Sequence, residues 1–239
     1  MSEIAKPIKA STIVIVRPDD KGGIEVLMTR RHREMQFLGG FLVFPGGALE
    51  REDCSERMLS LCRGLTRVDA QTILGADLSL EMSLGHWVAA VRELFEETGV
   101  YFFIDENGLA PEVSRRNFGE RLDAKRRALA SGTCLLPQLL ESEGLFCDLG
   151  RLNYLFHRIT PEKYSVRFDT RFYLAALPDN QTPLAFSEEV SETLWLTPKT
   201  ALDRANSGNY PMMPPTIIVL RTLAEHDSWE NLCAAFRLV

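Results

Sequence analysis

Three glutamates lie close together near the middle of the chain, at Glu93, Glu96 and Glu97. At about 100° per residue, a helix gathers their carboxylates on one arc and places the apolar residues on the opposite one. Like charges at this spacing repel each other and lower the stability of an isolated helix. A hard divalent cation bound through oxygen would offset the repulsion, whereas a solvated acidic face would need no ligand. The spacing therefore predicts either a metal site or an acidic surface.

The end of this predicted helix favours the metal site. Gly99 suits the left-handed position that follows a helix, so Glu96 and Glu97 fall in the last turn. The helix macrodipole disfavours anions at that end, so the two acids need another reason to be there. A bound cation supplies one.

An earlier turn has the backbone freedom to approach such a site. Residues 41–44 form a short apolar run that predicts a strand, and Pro45, Gly46 and Gly47 close it with a tight turn. Two consecutive glycines leave backbone groups free to come close to a ligand or a metal. The turn is a weak signal alone, but together with the acidic helix it predicts one site built from two segments.

These two segments resemble the sequence box of the Nudix hydrolases, Gly-x5-Glu-x7-Arg-Glu-U-x-Glu-Glu-x-Gly-U, where U is a bulky aliphatic residue. The second half is matched completely by Arg92, Glu93, Leu94, Glu96, Glu97, Gly99 and Val100. The first half begins at Gly47, and Asp53 stands where the family has Glu. An insertion at about residues 54–85 separates the two halves, so the box is split.

The resemblance implies a divalent metal ion as cofactor. By similarity, Glu93, Glu96 and Glu97, with a backbone carbonyl from Gly46 or Gly47, would hold Mg²⁺ or Mn²⁺.

The resemblance also implies catalytic residues. Arg92 lies one turn before Glu96 and would hold its carboxylate in place, as the family's Arg does. An acidic residue on a loop before a Trp-containing strand often completes the metal site or serves as the base. Glu189 fits that position best, with Glu188 and Glu192 as rivals. The base is then either a helix carboxylate such as Glu96 or the loop residue Glu189.

The implied reaction is hydrolysis of a diphosphate linkage in a nucleoside diphosphate joined to another moiety. Arg30 and Arg31 end a predicted strand, and they are either a solvated strand end or a handle for substrate phosphates. A split box is similar to that of the coenzyme A diphosphatase branch, and this similarity extends to residues 167–173 and 214–216. Phe44 belongs to a partial coenzyme A signature, in which Gln36 replaces an expected Arg.

Three interpretations of the function therefore remain. Coenzyme A or an acyl derivative is the first choice of substrate, and ADP-ribose, nucleotide sugars or dinucleotides are the alternatives. A non-catalytic Nudix-like ligand sensor is a reading of another class, although sensors usually lose box acids and this chain keeps all three.

Hydrophobic patterning predicts the elements that position these residues. Predicted strands lie at residues 10–17, 24–30, 41–44, 101–104, 152–159 and 168–177. The split region 54–85 predicts two short helices, which serve either as a lid or as a contact between two copies, so a homodimer stays open. A further helical segment covers about 112–146. We expect residues 1–239 to form a single α+β domain of the Nudix fold, with a mixed β-sheet sandwiched between α-helices and with helical insertions.

Composition narrows the classes of partner and compartment. The net charge of -6 argues against a general nucleic-acid or anionic-membrane binder, so a small nucleotide substrate is expected. The 5 cysteines show no metal-binding spacing, which favours reduced thiols in a cytoplasmic protein. No apolar run reaches the roughly 18 residues that a membrane span needs.

Overall fold

A β-branched strand near the N-terminus lies at the centre of the main sheet. A computed structural model describes residues 5–111, 117–208 and 210–238. In it, Ile8–Pro18 forms a strand whose side chains from Ile13 to Val16 are all fully buried. A strand with no exposed face requires cover on both sides of the sheet.

The six strands predicted from hydrophobic patterning are all present with bounds within two residues. The described strands are β1 (Ile8–Pro18), β2 (Ile24–Arg31), β3 (Leu42–Val43), β4 (Gly46–Ala48), β5 (Cys62–Arg63), β6 (Phe103–Ile104), β7 (Phe146–Asp148), β8 (Asn153–Ile159), β9 (Phe168–Ala176) and β10 (Val190–Leu196). Of these, β4, β5 and β7 were not predicted. The described α-helices are α1 (Glu56–Ser60), α2 (Arg67–Leu74), α3 (Leu80–Thr98), α4 (Phe118–Ala130), α5 (Leu136–Glu143), α6 (Pro198–Asn206), α7 (Pro214–Ala224) and α8 (Trp229–Phe236). None of the described helices combines the length and hydropathy that crossing a membrane requires.

The main sheet is mixed, as predicted. Its strand order is β10-β2-β1-β9-β8, with β3 beside β2 and β4 beside β1. β1 runs parallel to β9 and antiparallel to β2 and β4. The predicted tight turn is a bend at Pro45, from which Gly46 and Gly47 continue into β4. The pairing of β4 with β1 fixes this glycine turn against the centre of the sheet.

Two apolar cores cover the two faces of this sheet. Ile13 and Ile15 of β1 pack into the core that contains Trp87 and Phe95 of α3. Their neighbours Val14 and Val16 point the other way and pack with residues of α6, α7 and α8. The expected sandwich of a mixed sheet between helices is therefore confirmed.

The box helix α3 is longer than the pattern around Glu93 indicated. Ser79 caps its N-terminus by accepting a hydrogen bond from the Met82 amide at 3.2 Å. Gly99 ends it at φ 72°, and its amide donates to the Phe95 carbonyl at 2.9 Å. Residues 80–85, assigned by sequence to the insertion, are instead the first turns of α3.

The insertion packs against α3 rather than standing away from it. Met58, Leu59 and Ala70 are buried in the α3 core. The short strand β5 pairs in parallel with β7, with Cys62 opposite Cys147, in a second sheet of order β5-β7-β6. The insertion and the segment that contains α4 and α5 thus share one apolar core with the box helix. Residues 112–116 of the predicted 112–146 segment, which include Arg115 and Arg116, lie outside the described residues.

Candidate active site

Arg92 connects the two halves of the split box. Its guanidinium donates to both carboxylate oxygens of Asp53, from Nε at 2.9 Å and from Nη2 at 3.0 Å. Nη2 also donates to the Ala48 carbonyl at 2.8 Å, and Asp53 accepts the Glu50 amide at 2.9 Å. Arg92 and Asp53 are only 4% and 2% exposed. The loop that follows the glycine turn is therefore attached to α3 by a buried bidentate ion pair.

Asp53 stands where the family has Glu, and the sequence alone assigned it no role in the site. The shorter side chain reaches Arg92 because its segment lies close to α3, opposite Gly85. A Cβ at Gly85 would come within 2.5 Å of the Cys54 sulfur and 3.2 Å of the Asp53 carbonyl oxygen. The helix glycine was the available sequence signal for this close approach.

Arg92 also reaches the acidic face of its own helix. Nη1 donates to Glu93 Oε1 at 2.8 Å and to Glu96 Oε1 at 3.4 Å. Burial opposes the charge of Arg92, but Asp53, Glu93 and Glu96 outweigh the burial and raise the guanidinium pKa above its usual value. Arg92 therefore stays charged and orients these carboxylates.

The glycine turn meets the same acidic face from the other side. A Cβ at Gly47 would lie 2.4 Å from Glu93 Oε1, and a Cβ at Gly46 would lie 2.4 Å from the Ser11 carbonyl oxygen. Gly46 thus requires glycine, because backbone atoms of β1 occupy the space of any side chain, whereas a side chain at Gly47 would displace the Glu93 carboxylate. The turn comes close enough for its backbone to share a ligand with Glu93 and Glu97.

The three helix carboxylates hold protons more strongly than ordinary glutamates. Burial, followed by repulsion from Glu93 and Glu189, raises the pKa of Glu97 well above its usual range. Burial raises the pKa of Glu96 to about 7, although Arg92 opposes the change. Burial also raises the pKa of Glu93, again against Arg92. The cluster carries more potential negative charge than its protein neighbours neutralise.

This excess negative charge fits a divalent cation. Glu97 is 5% exposed, and its Oε2 has no hydrogen-bond partner within the described protein. A buried carboxylate oxygen without a donor is costly unless a cation or a proton satisfies it. Among the described residues, no group of three or more His, Cys, Asp or Glu side chains already has a metal-binding arrangement. The oxygen donors of the cluster suit a divalent cation chemically, and Arg92 holds two of the carboxylates, Glu93 and Glu96, through one oxygen of each.

Glu189 lies at the rim of the same site. Its carboxylate is 3.4 Å from Arg31 Nη2, and its backbone carbonyl accepts the His32 amide at 3.3 Å. Of its rivals, Glu188 pairs with Arg126 at 3.3 Å and Glu192 pairs with Arg30 at 3.8 Å. Glu189 is the one of the three that lines the groove above Glu93 and Glu97.

The structure brings together some of the predicted substrate residues and separates others. A groove of about 380 Å³ is lined by Arg31 and Phe44 as well as Gly46, Gly47, Glu93 and Glu97. Glu96 lines an adjacent cavity of about 230 Å³, which shares Glu93 and Glu189 with the groove. Arg30 instead lies over the Tyr210 ring at 5.3 Å and lines a different surface pocket. Arg30 is therefore not brought to the groove, because neighbouring residues of a strand face opposite sides of the sheet.

The far end of the groove is apolar, and sequence reasoning missed most of it. Its wall contains Phe37, Leu38, Phe168, Met213 and Pro215. The rings of Phe37 and Phe168 lie 5.2 Å apart, and Phe37 is 40% exposed. These residues come from three separate parts of the chain, and no periodic pattern joins them.

Known proteins resemble this chain over most of its length. The family model described as the NUDT19 Nudix domain matches residues 8–223. The chain is 28% identical over 216 residues to a putative nudix hydrolase 7 of Caenorhabditis elegans, covering 88% of this chain and 59% of the relative. It is 25% identical over 241 residues to the acyl-coenzyme A diphosphatase NUDT19 of Gallus gallus, covering 87% and 63%. The chain thus spans about three fifths of the length of these curated relatives.

A solved structure matches nearly the whole chain. The crystal structure of a NUDIX hydrolase from Alicyclobacillus acidocaldarius has a TM-score of 0.80 and 29% sequence identity, and the match covers 98% of this chain and 97% of that one.

Proposed function

The chain belongs to the NUDT19 Nudix domain family of Nudix hydrolases, and we propose that it hydrolyses the diphosphate linkage of coenzyme A or an acyl-coenzyme A. The observation that carries the proposal is the groove, which joins a carboxylate cluster and Arg31 to an apolar wall. The 25% identical Gallus gallus relative described as an acyl-coenzyme A diphosphatase supports the same substrate class. We treat residues 1–239 as one Nudix hydrolase domain, which the burial of the insertion against α3 supports.

Glu93, Glu96 and Glu97, with a backbone carbonyl of Gly46 or Gly47, are the residues proposed to hold Mg²⁺ or Mn²⁺. When bound, such a cation lowers the pKa of a coordinated water and neutralises diphosphate oxygens. The unpartnered Oε2 of Glu97 supports this assignment. Phosphoryl transfer asks mainly for positioning and charge neutralisation, which fits a site made of carboxylates and arginines.

The remaining roles follow from the positions of the side chains. Arg92 holds the carboxylates of Glu93 and Glu96 in orientation through its anchored guanidinium. Arg31 faces the groove and would bind a substrate phosphate oxygen by a charge-assisted hydrogen bond. Glu189, or else Glu96, would take the proton of the attacking water. Glu189 is favoured because it lines the groove, and Glu96 because burial already brings its pKa to about 7.

The apolar wall supports a substrate with an apolar portion. Phe37, Phe168 and Met213 would contact a pantetheine or acyl chain and gain from its burial. A hydroxyl-rich sugar would lose hydrogen bonds to water against the same wall. ADP-ribose, nucleotide sugars and dinucleotides are therefore the weaker substrates in this proposal.

A substrate panel tests the proposal. The protein would be incubated with Mg²⁺ or Mn²⁺ and with coenzyme A, acyl-coenzyme A, ADP-ribose, NADH or a nucleotide sugar, and the products separated by chromatography. We expect metal-dependent cleavage, fastest with the coenzyme A compounds. Faster cleavage of ADP-ribose than of the coenzyme A compounds would contradict the proposed substrate class. Absence of any cleavage would favour the ligand-sensor alternative.

We propose a cytoplasmic location and leave the assembly to experiment. The five cysteines of the chain are all unpaired, which suits the reducing cytoplasm. A homodimer remains a proposal that gel filtration with light scattering would test.

A further inference from the structure

Arg126 is a buried basic residue at the C-terminal end of the box helix. It comes from α4, is 5% exposed, and its Nη1 donates to the Glu96 carbonyl at 2.9 Å. The last carbonyls of a helix lack intrahelical partners, and the macrodipole favours a cation beside them. Arg126 thus caps α3 at the turn that carries Glu96 and Glu97.

The same guanidinium nitrogen reaches the loop that carries Glu189. Nη1 of Arg126 lies 3.3 Å from Oε2 of Glu188, the residue before Glu189. One nitrogen therefore bridges the backbone of α3 and the loop that contains Glu188 and Glu189.

The aliphatic part of Arg126 also lies between these two segments. A Cβ at Gly99 would lie 3.2 Å from Leu184 Cγ and 3.9 Å from Arg126 Cδ, so the three residues are close neighbours. The Leu184 amide donates to the Thr98 carbonyl at 2.8 Å. The segment before the loop is thus docked on the end of α3 beside Arg126.

Two other contacts hold the opposite side of the loop. His32 of the segment after β2 donates its amide to the Glu189 carbonyl, and its ring Nε2 lies 3.2 Å from the Ser187 carbonyl oxygen. These contacts tie the loop to β2, whereas Arg126 ties it to α3. The position of Glu189 relative to Glu93 and Glu97 depends on both ties.

We propose that Arg126 is a positioning residue, which sets the distance between the Glu189 carboxylate and the carboxylates of α3 by bridging the Glu96 carbonyl and Glu188. Arg126 does not line the groove among the described residues, so it acts through the loop and not on the substrate. The catalytic part of this inference rests on the proposed function, because it assumes that Glu189 acts as the catalytic base.

The neighbouring Arg127 is a matched control on the same helix. Arg127 is exposed and pairs with Asp123, the residue that also accepts a hydrogen bond from Arg126 Nε at 3.1 Å. Arg127→Met therefore removes a guanidinium and its ion pair with Asp123, but it removes none of the hydrogen bonds that join Arg126 to α3 and to the loop. Arg126→Met keeps the aliphatic packing against Leu184, and Arg126→Lys keeps the charge.

The first experiment compares steady-state kinetics of these variants. We expect Arg126→Met to lower kcat roughly ten- to a hundredfold with KM little changed, because small displacements of catalytic groups are costly. Arg126→Lys should recover part of the loss, and Arg127→Met should behave like the wild type. In a Glu189→Gln background, Arg126→Met should lower kcat no further. An equal fall in that background would mean a general structural role and overturn the proposal.

The second experiment does not depend on turnover. Amide hydrogen exchange of residues 185–190 should become faster in Arg126→Met than in Arg127→Met. Glu188→Gln weakens the same interaction between Arg126 and Glu188 at its exposed partner. It should therefore speed exchange in the same residues without affecting the fold. If the wild type cleaves nothing, the proposed function fails while exchange still reports on the tie. Unchanged protection in both Arg126→Met and Glu188→Gln would overturn the proposal.

Discussion

The candidate site has a buried half and an exposed half, and different interactions hold them. Arg92 and Asp53 form a buried bidentate pair between the loop after the glycine turn and α3. The Glu189 side chain is 57% exposed and contacts Arg31 at 3.4 Å. Removing one partner of a buried pair is strongly destabilising, whereas an exposed pair contributes little. Substitutions in the buried half should therefore change stability, activity or both, and those at the rim should change activity alone.

The largest effect should follow Glu97→Gln in the buried half. This change keeps the shape of the side chain but removes the carboxylate proposed to bind the cation. We expect kcat to fall by about two to three orders of magnitude, as when other transition-state electrostatic partners are removed. Without metal, the thermal midpoint should not fall, because the lost charge is one that burial penalises. Glu120→Gln, at an exposed position of α4, is the control. Full activity in Glu97→Gln would refute the metal assignment.

The next effect, on stability, should follow Asp53→Ala. This change leaves the Arg92 guanidinium buried without its bidentate partner, and it should lower the free energy of unfolding by about 3–5 kcal/mol. Urea unfolding followed by circular dichroism measures the change. Glu56→Gln removes an exposed partner of Arg67 and should leave the unfolding midpoint nearly unchanged. Equal midpoint shifts in the two variants would abolish the distinction between the buried and exposed halves.

A smaller effect should appear in the pH dependence of stability. Burial raises the Glu96 pKa from 4.5 to about 7, so the folded, metal-free state binds a proton that the unfolded state releases. This contribution to stability is present below about pH 4.5 and is lost as the pH rises to about 7. Unfolding at several pH values, without metal, should show the loss in the wild type relative to Glu96→Gln. Parallel stability curves would contradict the raised pKa.

The smallest effect should come from Phe37, in the exposed apolar wall of the groove. Phe37→Ala removes part of the apolar wall at a position that is already 40% exposed, so stability should change little. We expect kcat/KM for a long acyl-coenzyme A to fall by roughly tenfold relative to coenzyme A, from the lost apolar contact. Parallel kinetics with both substrates measure this ratio. An unchanged ratio would mean that the acyl chain binds elsewhere.

The buried half was largely predictable because local patterns encode it. Glu93, Glu96 and Glu97 share an arc on any helix, and Gly99 ends the helix at the predicted position. The glycine turn was also visible, because two consecutive glycines signal a close backbone approach. The start of α3 at Leu80 was not recognised, because the inserted segment before it is also helical and apolar.

The rim was predictable only in part because sheet pairing and loop docking decide it. Arg30 and Arg31 are adjacent in sequence, and only the packing of the sheet determines that Arg31 faces the groove. The sequence does not distinguish Arg126 from the other basic residues of α4, some of which, such as Arg127, are exposed. Such assignments depend on contacts between residues far apart in the chain.

The sequence by itself determined the acidic helix, the glycine turn and the family resemblance, because each depends on the types and spacing of nearby residues. Tertiary structure alone decided that Asp53 reaches Arg92, that Glu189 lies above the carboxylates and that an apolar wall completes the groove. The physical reason is that these features require long-range packing. Strands, helix ends and loops meet there through side chains that share no local pattern.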